Sequence, residues 1–65
     1  MLQNSVQTKR KAAGLTQEDL AKVAGVTRQT IISIEKGNYV PSVVLAMKIA
    51  DCFNMKVEDV FYLVS

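Results

Sequence analysis

The chain has 65 residues, 49% of them hydrophobic, with eight Lys and Arg, six Asp and Glu, no His and a single Cys. A chain of this length makes one small domain and buries only about 60% of its unfolded surface, so it needs a dense apolar core or a partner chain. A disulfide framework is excluded because Cys52 is alone, and no apolar run approaches the roughly 18–20 residues of a membrane span.

The N-terminus shows no basic stretch leading into an apolar one, so a reducing, cytoplasmic setting is the expectation. Charge is distributed unevenly. Residues 1–36 hold Lys9, Arg10, Lys11, Lys22, Arg28 and Lys36 against Glu18, Asp19 and Glu35, a net +3, whereas residues 37–65 are net −1. The positive end is the expected phosphate-facing end of a polyanion-binding protein.

Apolar spacing predicts five helices, over about 4–13, 17–24, 28–36, 42–53 and 57–62, and strict alternation over a useful length occurs nowhere. An all-α fold follows. Gly14, Gly25 and Gly37 each come after a helix-forming segment and suit its left-handed end, and Asn54 suits the fourth. Thr16 stands before Gln17-Glu18-Asp19, so its hydroxyl can cap the next helix while Asp19 reaches back. Thr27 and Ser42 are placed to cap the two helices after that, and Val40 before Pro41 makes 38–41 a loop. Leu20, Ala21, Val23 and Ala24 form one core stripe, Ile31 and Ile34 a second, and Leu45, Ala46, Ile49, Ala50 and Phe53 a third. Val57, Val60 and Phe61 suit the last helix, Met47 and Met55 read as core filler, and Cys52 reads as a small hydrophobe. Met1-Leu2-Gln3 and Tyr62-Leu63-Val64 are compatible with extended backbone and can pair as two short strands.

The segment from Thr16 to Lys36 carries the chemistry. Two short helices joined through Gly25, with the small Ala21 allowing close approach and Val26 filling the corner, make a helix-turn-helix unit. Arg28, Gln29, Ile32 and Ser33 then point away from the core. Arg can hold guanine O6 and N7 with two parallel bonds, Gln can do the same with adenine N6 and N7, and Ile32 suits a thymine methyl. Thr16 and Gln17 open a helix whose free N–H groups suit a phosphate. Catalysis is not expected: there is no His, Cys52 has no base beside it, and the acids do not cluster.

The string from Thr16 to Glu35, with Gly37-Asn38-Tyr39-Val40-Pro41-Ser42 after it and Val57-Glu58-Asp59-Val60-Phe61 near the end, resembles the phage repressor and Cro (Xre-type) helix-turn-helix transcriptional regulators. It is most similar to their short single-domain bacterial or phage members. The resemblance spans nearly the whole chain and is densest over 14–37. It implies a five-helix, lambda-repressor-like domain over 1–65 with the motif at 16–36. The second motif helix would lie in the major groove of double-stranded DNA and the first across the backbone. Carried to matching positions, it implies Thr27, Arg28, Gln29 and Ser33 as base-facing residues. It implies Gln17, Thr30, Lys36, Asn38 and Tyr39 as phosphate-holding ones, with Thr16 beside them. Arg10 would pair with Glu35 and also face a phosphate.

Four positions depart from the family pattern. Lys9 replaces a large apolar residue, Ile32 a small polar one, Lys56 a Ser or Thr cap, and Ser5 a common basic residue. A homodimeric repressor reading a near-palindromic operator is the expected function, with Phe61, Tyr62, Leu63 and Val64 as the expected dimer contact. No metal, cofactor, small-molecule ligand or membrane is expected. The rival is an antitoxin or protein-interaction module that binds DNA secondarily, its partner held by the apolar tail.

Overall fold

The computed structural model describes residues 1–64. The elements run β1 (Leu2–Asn4), α1 (Val6–Ala12), α2 (Gln17–Ala24), α3 (Arg28–Lys36), α4 (Val43–Cys52), α5 (Val57–Val60) and β2 (Phe61–Leu63). Five helices thus surround one core, and the two ends of the chain close on each other as an antiparallel pair. Leu2 faces Leu63, Gln3 faces Tyr62 and Asn4 faces Phe61. Beyond the strands, the Met1 ammonium and the Val64 N–H each donate at 2.9 Å to the other residue's carbonyl.

This pairing shortens two helices relative to the sequence reading. The first begins at Val6 because residues 2–4 are held as a strand and the Ser5 N–H donates to the Val60 carbonyl at 2.9 Å. The last ends at Val60 because Phe61 turns to extended geometry (φ −119°, ψ 130°) and enters the ladder. Ladder hydrogen bonds and the burial of Phe61 outweigh another half-turn of a four-residue helix, which has little intrinsic stability.

The helix ends follow the side-chain chemistry. At the start of α2 the Asp19 N–H donates to Thr16 Oγ1 at 3.0 Å, and the Thr16 N–H donates to Asp19 Oδ2 at 2.9 Å. The Thr30 N–H donates to Thr27 Oγ1 at 3.3 Å, and the Leu45 N–H to Ser42 Oγ at 3.2 Å. A lysine ammonium cannot accept a bond, so α5 has only half a box: the Lys56 N–H donates to Asp59 Oδ2 at 3.4 Å. Gly25 closes α2 at φ +74°, a left-handed conformation that costs a residue with a Cβ roughly 1–2 kcal/mol. Asn54 takes φ +56° after α4.

Leu20, Ile31, Ile34, Ile49, Val6 and Val60 are the largest fully buried side chains, joined by Ala21, Ala24, Leu45, Ala46, Ala50 and Phe61. Val26 packs against them at the motif corner, as Cys52, Phe53 and Val57 do further on. α2 lies at the centre, packed on α3 to one side and α4 to the other, with α5 on α4. Three expected core residues lie outside. Val23 is 62% exposed because at 100° per residue it falls beside the stripe set by Leu20, Ala21 and Ala24. Met47 is 55% exposed because the opposite face of α4 already fills the core, and Met55, in the turn between α4 and α5, is 37% exposed.

The Thr16 N–H, and less strongly the Thr16 hydroxyl, hold the Asp19 carboxyl below its ordinary range. A carboxylate with a depressed pKa adds stability above its unfolded-state value of about 3.9, and that contribution disappears as pH falls through the folded value. In an NMR titration, Asp19 should therefore titrate below an ordinary Asp, and Thr16→Ala, which removes the hydroxyl but keeps the backbone N–H, should move its midpoint only part of the way back up. An ordinary midpoint in the wild type would contradict this.

Candidate nucleic-acid interface

The α3 surface is organised from its ends inward. At its N-terminus Thr27, Arg28 and Gln29 are exposed, and one turn on Ile32 and Ser33 are half-exposed. Ile31 and Ile34 anchor the opposite face in the core. The five residues expected to face bases therefore share one accessible side of one helix. Thr27 and Thr30 are also tied to each other, their hydroxyls 3.1 Å apart, so Thr27 both caps α3 and stands at its entry.

The N-terminus of α2 opens beside that of α3. A surface hollow there is lined by Arg10 and Lys11 of α1, by Gly14 and Leu15 of the turn, by the Thr16 cap with Gln17 and Glu18 of α2, and by Arg28 of α3. The structure thus brings Arg28 next to the α2 end on which Thr16 and Gln17 stand. It adds Lys11, which the sequence analysis names only in the charge of the positive half. A basic residue three places before the Gly that ends α1 is the signal that could have found it. At the far end of α3, Lys36, Asn38 and Tyr39 are exposed. The Asn38 N–H donates to the Ser33 carbonyl at 2.9 Å, and the Gly37 N–H to the Ile34 carbonyl at 3.0 Å.

Arg10 lies beneath this surface, with 7% of its area exposed. Its Nε donates to Glu35 Oε2 at 2.7 Å, Nη2 to Glu35 Oε1 at 3.3 Å, and Nη1 to the Leu15 carbonyl at 2.9 Å. Gln17 Nε2 donates to the same Glu35 Oε1 at 3.1 Å. One buried carboxylate thereby connects α1, the α1–α2 turn, the start of α2 and the last turn of α3. The expected Arg10–Glu35 pair is present. Its burial directs the guanidinium inward, so a phosphate contact is not assigned to Arg10.

Asn4 was not singled out from the sequence. Its Nδ2 donates to the Ile34 carbonyl at 2.9 Å and its Oδ1 accepts from the Val6 N–H at 3.1 Å. It fixes the end of α3 to the start of α1, and an Asn two residues before a helix is the clue the sequence offered. Lys9 is half-buried.

The tail divides. Phe61 is a core residue at 7% exposure, which corrects its place in the expected dimer contact, whereas Tyr62, Leu63 and Val64 are 43%, 82% and 46% exposed. Among the described residues no helix is long and apolar enough to cross a membrane, and no three His, Cys, Asp or Glu side chains gather as metal ligands would.

An exposed helix face presented by a short capped helix across a glycine turn from a second helix defines a helix-turn-helix protein. A sequence model of the helix-turn-helix family matches residues 6–60. An uncharacterised HTH-type transcriptional regulator of Bacillus subtilis, YgzD, is 53% identical over 62 residues, covering 95% of this chain and 94% of its own. Another, from Methanocaldococcus jannaschii, is 57% identical over 60 residues, covering 92% and 91%. The crystal structure of the restriction-modification controller protein C.AhdI from Aeromonas hydrophila superposes with a TM-score of 0.77 at 30% identity, covering 83% of this chain and 82% of that one. The chain belongs to the helix-turn-helix family of transcriptional regulators, of the Xre and Cro type, with the lambda-repressor-like fold of that class.

Removing either partner of the Arg10–Glu35 pair leaves a buried charge alone, which typically costs about 3–5 kcal/mol. Arg10→Met and Glu35→Leu should each lower unfolding stability by an amount of that order, and the double variant by clearly less than their sum. Additive losses in denaturant unfolding would show that the two do not act as a pair.

Proposed function

We propose that this regulator is a repressor that binds a near-palindromic operator as a homodimer in the cytoplasm, with α3 of each copy in the major groove. The observation that supports this most directly is the exposed row of Thr27, Arg28, Gln29, Ile32 and Ser33, fixed from below by the buried Glu35 carboxylate. Those five read base edges. Thr16 and Gln17 at the start of α2, Thr30 on α3, and Lys36, Asn38 and Tyr39 beyond it hold the phosphates that flank the groove. Gln17 meets a phosphate while its amide stays bonded to Glu35, which transmits the docking of α2 to the position of α3.

The size of the molecule supports a dimer. The molecule is 31 Å in its longest dimension and carries one reading helix, whereas successive major-groove turns on one side of DNA lie about 34 Å apart. Reading two half-sites therefore takes two copies. The apolar surfaces available for their contact are the exposed part of the tail, Tyr62 to Val64, and the outer face of α4.

Selection of bound sites from random DNA at fixed salt should return an inverted repeat with half-site centres about 10–10.5 bp apart. A lone asymmetric half-site, or no enrichment, would overturn the proposal. Arg28→Ala should lose about 1–3 kcal/mol on that operator and relax preference at one base pair per half-site. Unchanged affinity would remove Arg28 from base reading. Lys36→Ala should weaken all sequences alike and reduce the slope of log affinity against log salt by about 1. A loss confined to some sequences would contradict a phosphate role.

A further inference from the structure

α3 carries three isoleucines, and packing accounts for two of them. Ile31 and Ile34 are fully buried in the core. Ile32 is half-exposed, and it belongs neither to the core cluster nor to the partly buried side chains packed against it. At 100° per residue it stands about 130° round the helix from the midline of Ile31 and Ile34. In the same projection it falls between Arg28 and Gln29, one turn further along, and Lys36 follows it four residues on. A branched apolar side chain thus sits inside a patch whose other members, Arg28, Gln29, Ser33 and Lys36, all need polar partners.

What a major groove offers restricts the partner of that side chain. Base edges there present hydrogen-bond donors and acceptors, and the one apolar group among them is the C5 methyl of thymine. An isoleucine set against donors and acceptors strips their water and replaces none of their bonds, which is unfavourable. Against a methyl it buries apolar surface on both sides. Cytosine methylated at C5 carries its methyl at the same ring position as thymine, while its hydrogen-bonding edge stays that of cytosine. The apolar contact is therefore common to both pyrimidines, and only groups that meet donors and acceptors tell them apart.

We infer that Ile32 senses one pyrimidine C5 methyl per half-site, so that binding responds to cytosine-5 methylation of the operator as well as to thymine. This rests on the DNA-reading role of α3 proposed above and deepens it. Methylation strengthens binding, because the Ile32 side chain has no hydrogen bond for the methyl to displace. Burying one methyl group contributes about fourfold in affinity per half-site, and about 15-fold for two half-sites. Thr27 is the competing reader, since it too carries a methyl group at the entry of α3. Its hydroxyl caps the helix and meets that of Thr30. Thr27→Ser keeps the hydroxyl and removes the methyl.

The test uses the full chain and the site obtained by selection. Each thymine is replaced in turn by deoxyuridine, symmetrically in both half-sites, which removes only the methyl, and affinity is measured at fixed salt. One position should lose about 15-fold. At that position a C·G pair is compared with its 5-methylcytosine counterpart, and the methyl should raise affinity by about the same factor. Ile32→Ala, with circular dichroism to confirm its helices, should bring both ratios close to one, whereas Thr27→Ser should keep both ratios. The inference is overturned if no position depends on a methyl, if the dependence survives in Ile32→Ala or disappears in Thr27→Ser, or if methylcytosine gains nothing over cytosine. A wild type that enriches no site overturns the DNA-reading proposal itself. An enriched site indifferent to its methyl groups overturns only the role of Ile32.

Discussion

The geometry of this molecule depends on one buried carboxylate. Glu35 sits in the last turn of α3 and accepts from Arg10 twice and from Gln17 once, while Arg10 also satisfies the Leu15 carbonyl. A charge taken out of water is tolerated only where such bonds replace its hydration. The helices are too short to be stable alone, with seven residues in α1 and eight in α2. Their mutual placement must come from long-range contacts, and the bonds to Glu35 span 18 and 25 residues. A hydrophobic contact would hold α1 against α3 without defining their rotation. A guanidinium facing a carboxylate fixes both distance and angle.

That placement determines what the surface can do. The reading side of α3 is accessible because Ile31 and Ile34 anchor its other side, and the α2 N-terminus lies next to it because Gly25 allows a tight turn. Asn4 holds the end of α3 through the Ile34 carbonyl, so the reading helix is fixed by side chains from α1, α2 and β1 at its C-terminal half. Its N-terminal half, with Arg28 and Gln29, is fixed only by the Thr27 cap and by core packing. The half that meets base edges is thus the less constrained half.

Much of this was legible in the residues. Thr16, Thr27 and Ser42 predicted three caps, Gly25 and Gly37 two helix ends, and the pairing of Met1–Gln3 with Tyr62–Val64 has the register that juxtaposition implies. These are local effects, or follow from a motif with little freedom. The errors lay where the outcome depended on packing. Nothing in the spacing of Met47 and Met55 shows that Leu45, Ala46, Ile49 and Ala50 already fill the core, so both were assigned to it. Phe61 seemed a tail residue because the core that receives it is assembled from distant segments. Arg10 was correctly paired, but its depth depended on how α1 sits over α3. Asn4 acts through a backbone carbonyl 30 residues away, and a carbonyl has no identity in a sequence.

The antiparallel pairing of β1 and β2 makes the chain almost a ring. The Met1 ammonium and the Val64 carbonyl are 2.9 Å apart, so the first and last described residues lie at one point on the surface. That point adjoins the C-terminal end of α3, since Met1, Leu2 and Gln3 share a hollow with Glu35, Lys36 and Gly37. Anything fused to either end would therefore emerge beside the same few residues, whichever end was chosen. A bulky fusion would crowd Lys36 from either direction.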